Sequence, residues 1–558
     1  MRRTHRFRFA GSVSGGLALA LALAARLAVA ETTLVFDGPV PEGGLDHFFV
    51  PFSVPPGTRE IEVRHDDRSE DNILDFGLDD PQGYRGWGGG TWEPAIVAEQ
   101  AASRAYVPGP IVEGTWRVVI GKAKVVSSPA VYHLEVILRD RPTLAPQPER
   151  MPYRPVPSLS QGRRYYAGDF HVHSRESTDA RPTLEQIVRF ARSRHLDFVE
   201  ISDHNTVTQL DFFAAAQAQS PDLLLVPGIE YTTYAGHGNA IGATRPVEHK
   251  LGQSVAGHAV TIADAVAAVH DQGALFGINH PVLDLGLSCI GCAWRQPLSS
   301  QAIDAVEIGT GGLRQGAFLF TAAALHFWDA LLADGHRVAA IGGSDDHLGG
   351  SGTGRMDSPI GDPTTLVLAE ELSVAALLDG IRHGRTVVKL QGVDDPMIEL
   401  GVSGQDHAAP GDTLAARGVV LQARISGGAG PAASSGANLR WIRNGELFRD
   451  QPVTDDPFVA TLPVRPDPAS ATRPEAWRVE LEIEGLIHTV TSPIYIRYDE
   501  VGEDSTTSPH VGCQLASTSS AQTPWRGVPL FSLLCALGLL FIRVRAGRRS
   551  SSAAEPQS

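Results

Sequence analysis

Leu196-Asp197-Phe198-Val199-Glu200-Ile201-Ser202-Asp203-His204-Asn205 reads as a short apolar strand, Leu196 to Ile201, that ends in a cluster of polar, metal-competent side chains. An amphipathic segment, Thr183 to Arg194, precedes it, and a second apolar run, Leu223 to Ile229, follows and ends at Glu230. The pattern repeats downstream. Ala263 to Gln272 and Thr321 to Ala333 are amphipathic; Ala274 to Ile278, Ala305 to Ile308 and Val338 to Ile341 are strand-like. Strands alternating with helices on this scale predict an α/β fold with a parallel barrel or sheet over residues 165–392.

The flanks read differently. Residues 31–142 alternate in short runs such as Trp116 to Ile120 and Val131 to Ile137, cut by Gly, Pro and Asp turns, which predicts a small all-β sandwich. Such a domain is a candidate for glycan binding, for docking on the barrel or for spacing it. A Pro-rich linker, 143–164, separates the two. Residues 393–498 return to short strands, among them Leu439 to Ile442 and Trp477 to Ile483, and predict a second sandwich. Residues 499–526, rich in Ser, Thr and Gly, read as a flexible stalk.

Both ends carry targeting signals. Arg2, Arg3, Arg6 and Arg8 precede an apolar stretch, Gly15 to Ala25, and Ala28-Val29-Ala30 offers a cleavage site, so 1–30 reads as a signal peptide. Within 527–558, Val528 to Ile542 is nearly all apolar and is followed by Arg543, Arg545, Arg548 and Arg549. It reads as a hydrophobic membrane anchor or a sorting signal with a basic tail, and either places the body outside the cytoplasm, periplasmic or at the cell surface.

A net charge of −16 argues against a surface that coats nucleic acid, because nothing would neutralise a run of phosphates. It leaves small phosphorylated substrates open, since bound metal ions would dominate the local field. Four cysteines in 558 residues exclude a disulfide-built scaffold, and Cys289-x-x-Cys292 predicts a local disulfide in an oxidising compartment.

The chemistry concentrates at the predicted strand ends, where α/β barrels place their active sites. His171-Val172-His173 alternates so that both imidazoles face one way. Asp179, Asp203-His204-Asn205, Glu230, His237, Asn239, His280 and Asp345-Asp346-His347 follow. Imidazoles and carboxylates so spread suit a cluster of divalent transition metals (Zn, Mn or Fe), with a carboxylate able to bridge two ions. Glu307 reads equally as support for a ligand or as a structural residue, and Asp346 as a loop residue. Gly86-Trp87-Gly88-Gly89-Gly90 reads as a turn, because no helix start with a Lys follows it.

The motif set resembles the PHP (polymerase and histidinol phosphatase) superfamily, through His171-Val172-His173, Ser202-Asp203-His204-Asn205, His280 and Asp345-Asp346-His347, in that order. Gly168-Asp169-Phe170 and Gly228-Ile229-Glu230 are similar to its CehA/McbA branch. The resemblance implies a distorted (β/α)7 barrel and two or three metals. His171, His173, Glu230 and Asp345 would hold the first; Glu230 would bridge to a second completed by His237 and His280; Asp179, His204 and His347 would hold a third. The stretch from His173 to Asp179 is longer than the family's usual loop, and Ala180 stands where it has Gly.

The activity so implied is hydrolysis by a metal-bridging hydroxide, of a phosphomonoester or phosphodiester, or alternatively of a carbamate, amide or ester. Arg175 is a candidate clamp for a phosphate, and Asp203 and Asn205 for orienting ligands. A reading of another class is a surface-displayed binding module with an inactive barrel; the complete ligand set weighs against it.

Overall fold

The computed structural model describes residues 31–506 apart from 256, 287–288, 298–302, 312–317, 353–357, 406, 428–435 and 505. The expected signal peptide 1–30, the tail 527–558 and most of the stalk lie outside the described residues. Among the described residues no helix is long and apolar enough to cross a membrane.

Residues 31–142 form β1 (Glu31–Pro39), β2 (His47–Val54), β3 (Glu60–Asp66), β4 (Ile73–Asp80), β5 (Gly83–Gly89), β6 (Ala95–Ala98), β7 (Gly114–Lys124) and β8 (Val131–Arg139). They pair antiparallel in two four-stranded sheets, β1-β8-β3-β6 and β2-β7-β4-β5. Side chains two apart on a strand share a face. Trp116, Val118 and Ile120 of β7 therefore enter one core with Leu134 and Val136 of β8, and that core is common to both sheets.

The linker is a strap. Buried Glu60 accepts from the backbone of Thr143 and Leu144, Met151 N–H donates to the Asp211 carbonyl, and Leu159 N–H to that of Leu372. Its last residues already belong to the next strand, so the boundary expected at 164 moves back to about Gln161.

The middle segment contains β9 (Gln161–Asp169), α1 (Leu184–Ser193), β10 (Phe198–Ile201), α2 (Phe213–Ala218), β11 (Leu224–Pro227), β12 (Glu230–Thr233) and β13 (Gly236–Ile241). A two-residue hairpin, β14 (Ser254–Val255) and β15 (His258–Ala259), leads to α3 (Ile262–His270), β16 (Leu275–Ile278), β17 (Ala305–Thr310), α4 (Phe318–Ala333), β18 (Ala339–Gly343), β19 (Thr364–Glu371), α5 (Val374–Arg382) and β20 (Thr386–Lys389). The helices start where the sequence supplies caps. Thr183 and Gln186 form a reciprocal capping box on α1, and Thr261 and Asp264 do the same on α3. Leu184, Ile187, Val188 and Ala191 make one apolar stripe on α1 and pack with Val199, Ile201 and Leu225.

A regular (β/α)7 barrel is not what the hydrogen bonds give. β9, β10 and β11 are parallel, and so are β16, β17 and β18, as expected. However, β12, β13 and β16 pair antiparallel, and β19 runs antiparallel to β9. Gly236, at φ 145°, lets the chain turn back directly from β12 into β13. The two sheets meet through single bridges, Val172 with Asp346 and His204 with Glu230. Both bridges join residues of the candidate site.

The C-terminal strands are β21 (Met397–Val402), β22 (Thr413–Ala416), β23 (Val419–Ser426), β24 (Asn438–Arg443), β25 (Glu446–Pro452), β26 (Phe458–Val464), β27 (Glu475–Ile483), β28 (Leu486–Thr491) and β29 (Ile494–Tyr498). The sheet β21-β23-β26 and the strands around β27 enclose one core that includes Trp441 and Trp477. The boundary expected at 392 is not a break in the sheet. β28 pairs with β20, so one eleven-stranded sheet runs from β11 through β9 into the C-terminal strands. Nor does a stalk begin at 499: Arg417 donates to the carbonyl of Gly502, and Arg465 pairs with Asp504 at 2.8 Å.

Candidate metal centre

Val172 is wholly buried in the core under α1, which turns His171 and His173, one residue to either side, away from that core and into the site. Glu230 opens β12, and its carboxylate is the hub. Its Oε1 lies 3.3 Å from His171 Nε2, 3.1 Å from His237 Nδ1 and 3.2 Å from His280 Nε2. Its Oε2 lies 3.4 Å from His173 Nε2 and 2.8 Å from His204 Nδ1. Asp345, after β18, puts Oδ1 3.2 Å from His171 Nε2 and 3.1 Å from His173 Nε2. Asp179 Oδ2 reaches His204 Nε2 at 3.3 Å and His347 Nε2 at 3.5 Å, despite the long loop before it. All nine expected ligands are thus drawn into one site.

These side chains fit a metal cluster better than a hydrogen-bond network. His173 Nδ1 and Nε2, Glu230 Oε2 and His237 Nε2 are buried and make no hydrogen bond. His173 Nε2 is 3.1 Å from Asp345 Oδ1 but makes no aligned hydrogen bond to it. Tetrahedral donors about 2.1 Å from an ion stand about 3.4 Å from one another, which is the spacing seen here. Three groups of donor atoms each lie within 4.8 Å of one another: His171, His173, Glu230 and Asp345; His173, His204 and His347; and His237, His280 and Cys292.

Electrostatics favour a cation. Burial alone would lower His171, but Asp345, Glu230 and Glu307 hold it well above the usual imidazole value. Burial, with the neighbouring His347, pushes His173 down to about 3, so it stays a neutral donor. The floor, His171, His173 and Glu230, is at most 1 % exposed, while His204, His347 and Asp345 are 23–28 % exposed at the mouth.

No family model matches the chain, and no curated protein does. Among solved structures it is similar to a two-domain protein containing a predicted PHP-like metal-dependent phosphoesterase from Bacteroides vulgatus, at 17 % identity and TM-score 0.34 over 62 % of this chain and 99 % of that one. It is also similar to an amidohydrolase from Chromobacterium violaceum, at 16 % and 0.23 over 34 % and 93 %. A third likeness, to a protein from Bifidobacterium adolescentis named for metal-dependent phosphoesterase activity, stands at 16 % and 0.23 over 40 % and 96 %. Likeness at these values carries neither substrate nor metal over to this chain.

Residues outside the expected ligand set hold it in place. Glu307 Oε2 is 2.9 Å from His171 Nδ1, which directs Nε2 to the centre, and Asn279 Nδ2 is 3.2 Å from Glu230 Oε1. Asp169 accepts from the backbone of His171, Ser344 and Gly361, and burial raises it to about 7. Asp169 was visible only as part of the Gly168-Asp169-Phe170 phrase, with no role attached, and Asn279 only as a neighbour of His280.

Asp203 accepts from Ser174 N–H and Oγ–H, both at 2.6 Å, and fixes the chain after His173. Asn205 closes its amide on the backbone of Thr232 and so braces the start of β12. Asp346 accepts from Leu348 and Gly350 N–H, a loop role. Arg175 is exposed, its Nε 4.0 Å from Glu176. Asn205, His280 and Asp345 adopt φ values of 50°, 27° and 56°, so backbone strain collects at the site.

The N-terminal strands dock on this centre. Arg104, held by Glu93, donates to the carbonyls of Arg175, Thr178 and Ala180, which bracket Asp179. Thr178 Oγ donates to the Gly88 carbonyl, and Glu176 accepts from Ala105 N–H. The glycine-rich stretch, expected as a turn, is strand β5 as far as Gly89, and it seats the Asp179 loop. Arg104→Ala is expected to lose any ion that Asp179, His204 and His347 hold and to keep any held elsewhere in the site; metal content by mass spectrometry, beside a thermal melt, checks this. An unchanged count would show that the loop holds its shape alone.

Proposed function

We propose that this chain is a metal-dependent hydrolase, a phosphoesterase acting on a phosphorylated small molecule. The observation that carries this reading is Glu230, whose two oxygens face two separate sets of imidazoles across one buried carboxylate. Bound Zn, Mn or Fe ions, two or three of them, would supply Lewis acidity and lower the pKa of water. His171, His173, Glu230, His237, His280 and Asp345 would hold two ions, and Asp179, His204 and His347 a third. Glu307 and the Cys292 carbonyl hold the Nδ1 sides of His171 and His280, leaving the opposite nitrogens for the centre. The dry floor strengthens charge interactions there. The open side of the mouth, beside His204 and His347, is where an anionic substrate would enter and where exposed Arg175 could pair with it.

Export through residues 1–30, retention through 527–558 and a periplasmic or surface location belong to the same proposal; cell fractionation of the full chain tests them. For the activity, the purified chain would be loaded with Mn or Zn and assayed on nitrophenyl phosphate, a phosphodiester, a carboxylic ester and an aryl carbamate. Phosphate or phosphodiester turnover that disappears in Asp345→Asn/His347→Ala is expected. Ester or carbamate turnover alone would reassign the substrate class. A protein that binds no metal and turns over nothing would leave a binding module.

A further inference from the structure

Cys289 and Cys292 are joined in the disulfide that their spacing predicts, and Cys292 is 2 % exposed. The bond closes directly against the centre. Cys292 Sγ, one ring nitrogen of His237 and one of His280 lie within 4.8 Å of one another. The Cys292 carbonyl takes the Nδ1 side of His280 at 3.1 Å, and His237 Nε2 is buried with no hydrogen-bond partner. The metal donors and the disulfide therefore share one small volume.

The loop is tied down by more than the S–S bond. Trp294 N–H donates to the Pro281 carbonyl and Arg295 N–H to that of Ala235, which tie the loop to the His280 segment and to the β12–β13 hairpin. Gly291, at φ 79°, presses so close that an added Cβ would stand 2.3 Å from the Thr233 carbonyl oxygen. A freed Cys292 would remain beside His237 and His280.

We propose that the Cys289–Cys292 disulfide is a redox latch on the His237/His280 metal position, and that opening it makes Cys292 a thiolate ligand there. The inference rests on the metal-centre reading. In the opening step a dithiol reductant gives up two electrons and two protons and becomes a disulfide. The Cys289–Cys292 bond breaks to two thiols, and the Cys292 proton passes to solvent as its sulfur takes the metal. Cys292 then adds a thiolate to the imidazoles of His237 and His280; with the bond shut, that donor is withheld and a position stays open, as in catalytic sites. An oxidising compartment holds the bond shut and the position open.

Cobalt(II) reads the sulfur directly. The full chain would be stripped of metal, titrated with cobalt, and its absorption recorded before and after treatment with a dithiol that is then removed. A thiolate-to-cobalt charge-transfer band is expected in the reduced protein and in Cys289→Ser, and is expected to be absent from the oxidised protein and from Cys292→Ser. The visible d–d bands should appear in all four, since the other donors remain. Cobalt bound without the charge-transfer band in either the reduced protein or Cys289→Ser would overturn the latch and leave the metal centre standing. Absence of d–d bands throughout would overturn the metal centre, and the latch with it.

Discussion

Glu230→Gln is expected to reduce bound metal to one ion or none and to abolish hydrolysis. Glutamine keeps the shape of the side chain but replaces one oxygen with an amide donor and removes the negative charge. The hub oxygens face His171, His237 and His280 on one side and His173 and His204 on the other, so the change strikes both sets. An amide nitrogen presents hydrogens where an ion needs a lone pair. Metal-ion activation contributes several kcal/mol to such reactions, which corresponds to a loss on the order of a thousand-fold in rate. Metal analysis and single-turnover assays on the same preparation check it. Full metal content in Glu230→Gln would mean that the ions are held from elsewhere and that Glu230 merely neutralises the imidazoles.

Gly343→Ala is the second large effect. A Cβ at Gly343 would stand 2.3 Å from His171 Cβ, 3.1 Å from its nitrogen and 3.2 Å from its Cα, and backbone cannot swing aside as a side-chain tip can. Relief requires β18 and the His171 strand to part, at about 1–3 kcal/mol for overpacking. A shift of about 1 Å in a site residue can by itself cost on the order of a hundred-fold in rate. Lower stability to urea together with lost metal is therefore expected. Gly277→Ala serves as the control, because its Cβ would meet nothing nearer than 3.6 Å. If both variants melt and load metal like the parent, the close packing of β18 on His171 is not what holds that ligand.

Most of the candidate ligands were legible in the sequence because they stand at or just beyond strand ends, and Asp179, in a loop, only through the motif it resembles. His171-Val172-His173 announces its geometry through alternation alone, with Val172 in the core and both imidazoles in the site. The order of β10, β11, β16, β17 and β18 followed from apolar runs in the same way. Those signals are local, and local chemistry suffices for them.

Three features depended on contacts between segments distant in sequence. β13 and β16, separated by a short hairpin and a helix, pair antiparallel in a segment otherwise expected to be parallel, since pairing partners are chosen by the whole sheet. β28 joins β20 and fuses the C-terminal strands to the sheet of the middle segment, because an unpaired sheet edge seeks hydrogen bonds wherever the chain can supply them. Arg104, some seventy residues before the loop it clamps, and Glu307, which orients His171 across the site, are ordinary charged residues until folding sets them beside their partners. Sequence by itself determined which atoms could bind metal, because donor chemistry is a property of each side chain. Only the tertiary structure decided which of them share an ion-sized space, because that depends on distances set by the packing of the whole chain.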